Sequence, residues 1–216
     1  MHLRQIAERI ASALAGIPRH WDGRQAITEM KNAGFRHWRQ MEWMGFYFQF
    51  LCDRCLSSTM EIPGPYYGNA EFDGFLGIPW DFKAHAMNTS SHQIIVNDSL
   101  AVARAIADFG AVGLILAIGK VEYNDEERTF QRWHNELKGG RSAYEEERIR
   151  RGARSRLRKV SFGLRQISFI QLTDATLVKT GSFQAAFRNA NGKPRRAKVL
   201  LDLEKIDEEI IHFVEF

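Results

Sequence analysis

The spacing of apolar and polar positions changes several times along the 216-residue chain. Near the start, "LRQIAERIASALAG" places Ile6, Ile10 and Leu14 three to four residues apart, with Glu8 and Arg9 between them. That spacing predicts an amphipathic helix, since an export signal would hold an unbroken apolar run. From Lys31 to about Cys55, Trp38, Met41, Gly45, Phe48, Cys52 and Cys55 recur at threes and fours and predict a second helical stretch. "STMEIPGPYYGN" is punctuated by prolines and glycines and reads as a loop or short strand. "AEFDGFL" and "IPWDFKAHA" then read as two strands of a hairpin about Gly77. "NDSLAVARAIADFG" predicts a helix with Asp98 or Ser99 as N-cap and Gly110 just past its end. "AVGLILAIGKVEY" is apolar without alternation, the mark of a strand buried on both faces.

The second half opens with two helical segments, "NDEERTFQRWHNELKGG" and "RSAYEEERIRRG". "RKVSFGLRQISFIQL" follows, then two basic alternating runs joined by "NANGKP", a hairpin signal, and a last amphipathic segment, "EKIDEEIIHFVEF". No repeat and no shift in composition marks a boundary. The expectation is one α/β or α+β domain covering residues 1–216.

Composition adds little to this. The chain is 44% hydrophobic and 26% charged, with a net charge of +4, a mild pointer to a polyanionic partner. The longest apolar run, Phe109 to Gly119, is too short to span a membrane. Cys52 and Cys55 share a helical face with Phe48 and read as small buried hydrophobes, because one such pair supplies only two of a structural zinc's four ligands. Their use fits a reducing cytoplasm.

Charge inside the predicted hairpin changes the picture more. Side chains alternate faces along a strand, so Asp81, Lys83 and His85 share one face while Trp80, Phe82 and Ala84 take the other. With the turn centred on Gly77, Asp73 stands opposite Asp81, and like charges so placed repel. A divalent cation between them reverses that sign. Magnesium favours one or two carboxylates plus water and phosphate oxygens. With a lysine beside it, this is equipment for metal-assisted phosphodiester hydrolysis. Glu42 is the only Asp, Glu, Lys, Arg or His between Arg39 and Asp53, and on a predicted helix it could approach the same acids. A second acid-any-lysine triplet, Glu136 to Lys138, lies in a polar helical run with no strand acid before it and reads as a solvated face.

A helix with Glu42, "FD" at Phe72–Asp73, "DFK" at Asp81 to Lys83, then a helix and an apolar strand: over about residues 31–123 this order resembles the PD-(D/E)XK nucleases, the superfamily of most type II restriction endonucleases. Phe72 stands where the motif's name has proline. The resemblance implies a restriction-endonuclease-like core, with a central mixed β-sheet flanked by helices. It implies that Asp73, Asp81 and the backbone carbonyl of Phe82 bind Mg2+, for which Mn2+ substitutes, and that Lys83 orients or activates the attacking water. It implies that Glu42 is an outer or second-metal ligand.

Residues 124–216 would then recognise DNA. Between Lys138 and Val160 the chain carries nine Lys or Arg against three Glu. Arg141, Arg148, Arg151, Arg154, Arg156, Arg158 and Lys159 are candidate DNA contacts, mainly to phosphates. Glu145 to Glu147 could also pair with arginines one turn on. The hairpin tip offers Arg188, Asn191, Lys193, Arg195 and Arg196. The expected activity is Mg2+-dependent, sequence-specific cleavage of double-stranded DNA, by a homodimer if the site is palindromic. A structure-specific repair nuclease and a non-catalytic DNA-binding protein are the alternatives. No glycine-rich phosphate loop appears, so no nucleotide cofactor is expected.

Overall fold

Ile6, Ile10 and Leu14 form the buried stripe of α1 (Leu3–Leu14). The structure, a computed structural model, describes residues 2–123, 127–152, 157–184 and 196–216. After α1 come β1 (His20–Asp22) and α2 (Gly23–Asn32), whose N-cap Asp22 accepts from the Gln25 N–H. The helical stretch expected over residues 31–55 is broken. Gly34 takes φ +71°, a 3-10 turn spans Arg36–Arg39, and α3 (Trp43–Leu56) starts only after Glu42. A left-handed residue ends a helix, and glycine adopts that conformation without a Cβ penalty.

Next are β2 (Tyr66–Tyr67), β3 (Ala70–Glu71), β4 (Gly74–Leu76), β5 (Ile78–Ala86) and β6 (Gln93–Asp98). Then follow α4 (Ser99–Phe109) and β7 (Val112–Glu122). Asp98 caps α4 by accepting from the N–H groups of Leu100 and Ala101, and Gly110 closes it in the left-handed region, both as expected. The second half holds α5 (Thr129–Lys138), α6 (Ala143–Arg150), β8 (Ser161–Leu172), α7 (Asp174–Thr180), β9 (Gly181–Gln184), β10 (Lys198–Asp202) and β11 (Ile210–Glu215).

The main sheet is mixed, in the order β1-β8-β7-β5-β4, with β11 also paired to β8. Only β5 and β7 run parallel, and α4 lies on the crossover between them; the other pairs are antiparallel. Alternation sorts the core to the sheet's two faces. Trp80, Phe82, Ile115, Ala117, Phe162 and Phe169 pack with α1, α2 and α3. Val112, Leu114, Leu116, Ile170 and Leu172 pack with α4 and with a second antiparallel sheet, β6-β10-β9. The chain is thus a mixed sheet flanked by helices. β7 is buried on both faces, which is why it reads as a continuous apolar run. β9 and β10 pair with Gln184 opposite Lys198, as arms of the expected hairpin. Among the described residues no helix is long and apolar enough to cross a membrane.

Candidate active site

β4 is three residues long, and its end makes the site. It pairs with β5 from Leu76↔Ile78 to Gly74↔Trp80, the register expected from a turn at Gly77. Gly77 takes φ +72°. The expected strand "AEFDGFL" is interrupted at Asp73, between β3 and β4. Instead of continuing the ladder, the Asp73 carboxylate takes its place: Oδ2 accepts from the Phe82 N–H at 2.6 Å. In an extended strand a residue's C=O leaves on the same edge as its N–H. The Phe82 carbonyl therefore faces the Asp73 side.

Asp81 and Lys83 point to the face away from Trp80 and Phe82, as alternation predicts. Lys83 Nζ lies 3.5 Å from Asp81 Oδ2 and 4.0 Å from Asp73 Oδ2, so the three charged groups of the hairpin converge. Each acid is also held by an amide from a different layer. Gln49 of α3 donates to Asp73 Oδ1 at 2.8 Å. Asn97 of β6 donates from Nδ2 to Asp81 Oδ1 at 3.2 Å and to the Glu71 carbonyl at 3.0 Å, while its Oδ1 accepts from the Asp98 N–H. The site thus straddles the sheet edge, with α3 on one side and the second sheet on the other.

Asp81 is 1% exposed. Burial, opposed by Lys83 and reinforced by Asp73, pushes its carboxyl up to about 7. Burial likewise raises Asp73, against the pull of Lys83 and the Phe82 N–H. For Lys83, burial works against the charge, but the two acids outweigh it and hold the ammonium above its ordinary range.

Asp81 Oδ2 makes no hydrogen bond; at 3.5 Å Lys83 is in ion-pair range only. A buried carboxylate oxygen left in that state is costly unless a cation compensates it. Among the described residues no cluster of three or more His, Cys, Asp or Glu stands ready to hold a metal. Two carboxylates with a carbonyl on the same strand edge nevertheless suit magnesium, which keeps several of its waters.

An open cleft of about 840 Å³ runs over this edge, lined by Asp73, Lys83, the Phe82 backbone strand, His85, Glu42 and Lys159 among others. Burial, then the Lys159 and His92 charges, lowers the His85 pKa, so its imidazole is neutral at pH 7.

No family model, no curated protein and no solved structure matches this chain.

The expectation for Glu42 needs correction. Glu42 is not a buried helical carboxylate. It occupies the N-cap position of α3, its side chain is 72% exposed, and its Oε2 lies 3.4 Å from Lys159 Nζ on the cleft rim. The α3 side chain that reaches the acids is Gln49, a turn and more further on, the only amide in "GFYFQFLC". Its placement inside an aromatic run was the available signal. Asn97 had none, because its role depends on β6 crossing to the face of Asp81.

The basic residues scatter. Lys159 sits in the cleft, and its carbonyl accepts from Trp43 Nε1 at 2.8 Å. Arg151 pairs with Glu147 at 2.7 Å, as does Arg150 at 2.6 Å, the helical pairing that competed with a DNA role. Arg141 is exposed ahead of α6, and Arg148 is half-buried. Arg158 is half-buried near His134 and Lys138, whose pKa values its charge helps to lower. Arg196 is exposed beside Gly68 in the β2–β3 turn. Arg154, Arg156, Arg188, Asn191, Lys193 and Arg195 lie outside the described residues. Cys52 is buried and Cys55 half-buried, both free. Glu136 is exposed on α5.

Proposed function

We propose that this chain is a Mg2+-dependent endodeoxyribonuclease of the PD-(D/E)XK kind, acting as a sequence-specific restriction enzyme on double-stranded DNA. The observation that carries this reading is the buried Asp81 carboxylate, with an unbonded oxygen, sharing one lysine with Asp73, while that lysine and Asp73 line an open cleft. The order of helix, antiparallel hairpin, crossover helix and parallel strand supports it further.

Asp73, Asp81 and the Phe82 carbonyl would hold the magnesium. When bound, the ion supplies Lewis-acid polarisation of the phosphodiester and neutralises developing charge. Gln49 and Asn97 each occupy one carboxylate oxygen and orient the other toward Lys83. Lys83, kept protonated by both acids, donates: it orients the attacking water or a phosphate oxygen by a charged hydrogen bond. Lys159 adds a second cation within the cleft.

The test is digestion of a supercoiled plasmid in magnesium, with the ends mapped by sequencing. Wild-type protein should give discrete fragments. Asp73→Ala, Asp81→Ala and Lys83→Ala should each lower the rate on the order of 10²–10⁴-fold, with duplex binding largely kept. Wild-type rates for both Asp81→Ala and Lys83→Ala would refute the site. Cleavage confined to branched DNA would indicate a repair nuclease. DNA binding with no nicking at any magnesium concentration would indicate a non-catalytic binding protein.

A further inference from the structure

The 3-10 turn Arg36–Arg39 stands where the sequence predicted continuous helix, and it brings two side chains to the acids. Arg36 and His37 line both the large cleft and a second cavity of about 630 Å³, and the two meet at Gln49, Glu71 and Asp73. Arg36 is held from two directions. Its Nε donates to His37 Nε2 at 2.9 Å, and its Nη2 lies 3.5 Å from Glu71 Oε2. The side chain is still 74% exposed. A guanidinium offers five N–H donors in a rigid fork, so donors remain for a ligand, and the fork is already oriented.

Because His37 accepts through Nε2, its imidazole is neutral. Burial and the adjacent Arg36 charge both lower its pKa, which agrees. The neutral ring stacks on Phe46, with centroids 4.7 Å apart and planes 23° apart, and Phe35 meets it edge-on at 5.6 Å. His37 and Phe46 are both half-buried and line the cleft. The nearby Glu71 carboxylate is engaged by Arg36 and by the Tyr66 hydroxyl, which reduces its repulsion of an incoming anion.

A fixed cation beside a flat aromatic pair is what a polynucleotide strand needs: a donor for its phosphate and a π-face for its base. We propose that Arg36, His37 and Phe46 form a nucleotide subsite next to the acids, binding the phosphate and the unstacked base of the nucleotide that flanks the scissile bond. The subsite rests on the nuclease reading above and extends it: the strand entering this cleft has one base out of its helical stack.

Binding of a fluorescein-labelled single-stranded 12-mer and of an abasic strand of equal length tests this. Both are titrated over a range of NaCl, with calcium in place of magnesium. Arg36→Ala should weaken both strands about tenfold and make the slope of log K against log salt shallower by about 0.7. Phe46→Leu should weaken the base-bearing strand about fivefold or more and leave the abasic strand unchanged, while His37→Ala, which also frees the Arg36 guanidinium, should weaken both strands and the base-bearing one more. Phe46→Leu keeps the apolar contact and removes only the ring; a wild-type melting temperature certifies its fold. Wild-type binding by all three variants, or equal losses on both strands for Phe46→Leu, would overturn the subsite. If the base-dependent pattern appears but no plasmid is cut in magnesium, the subsite stands and the nuclease reading falls. If plasmid is cut but the base-dependent pattern is missing, the subsite falls and the nuclease reading stands.

Discussion

Asp81 weakens the fold it belongs to. A carboxylate with 1% exposure, one oxygen on Asn97 and the other unbonded, carries a desolvation cost that one lysine at 3.5 Å offsets only in part. Asp81→Asn keeps the shape and removes both the buried charge and the repulsion from Asp73. Without divalent ions at pH 8, this variant should be more stable by roughly 1 kcal/mol, a melting temperature about 2–4 °C higher, while losing cleavage. Thermal melts in EDTA measure the first effect, and a lower melting temperature would mean that the acid is structural. At this scale the sequence was readable where a period of two governs: alternation put Asp81 and Lys83 on one face, while Asp73 joins them outside the strand, its carboxylate replacing the ladder at the Phe82 N–H. It was unreadable where a side chain arrives from another layer, as with Asn97, or where a helix starts later than its apolar spacing suggests, as with Glu42.

Among the elements, β5 and β7 fit so closely that a single methyl group would not be accommodated. A Cβ built on Gly113 falls 2.2 Å from Trp80 Cε3, beneath the ring of a wholly buried tryptophan. Gly113→Ala should therefore destabilise the protein by about 1–3 kcal/mol through overpacking, seen as a lower midpoint in urea at unchanged slope. β7 itself was legible, since a strand covered on both faces needs no polar positions. The long helix predicted over residues 31–55 was wrong because Trp38 in the 3-10 turn and Met41 ahead of α3 keep the same threes and fours that α3 continues. Gly34 was the punctuation that separates α2 from the turn.

For the whole molecule, α5 is tied to the turn that carries Arg36 and His37. His134 Nε2 lies 3.1 Å from the Trp38 carbonyl, which can only accept, so Nε2 carries a proton and donates. Burial, with the Lys138 charge, pushes its pKa down to about 4. Unfolded, it would titrate near its ordinary 6.5. A depressed histidine binds its proton more readily when unfolded. Its contribution is therefore complete above pH 6.5 and falls away as the pH drops toward 4. Melting temperatures between pH 7 and pH 4.5 should decline more steeply for wild type than for His134→Gln, whose amide can still donate to Trp38. None of this was visible in the sequence, where His134 and Trp38 are 96 residues apart.

The position of β8 bears on how the chain is made. It lies between β7 on one edge and both β1 and β11 on the other, yet begins only at Ser161. A ribosome delivers the N-terminus first, so β1 and the far edge of β7 emerge long before the strand that joins them. The acids, the lysine and α3 are already in the nascent polypeptide by then, but the sheet that supports them is open on one side. Lys159, which receives the Trp43 indole N–H at the head of α3, also arrives late. Closure of the cleft is thus postponed until most of the polypeptide has been translated.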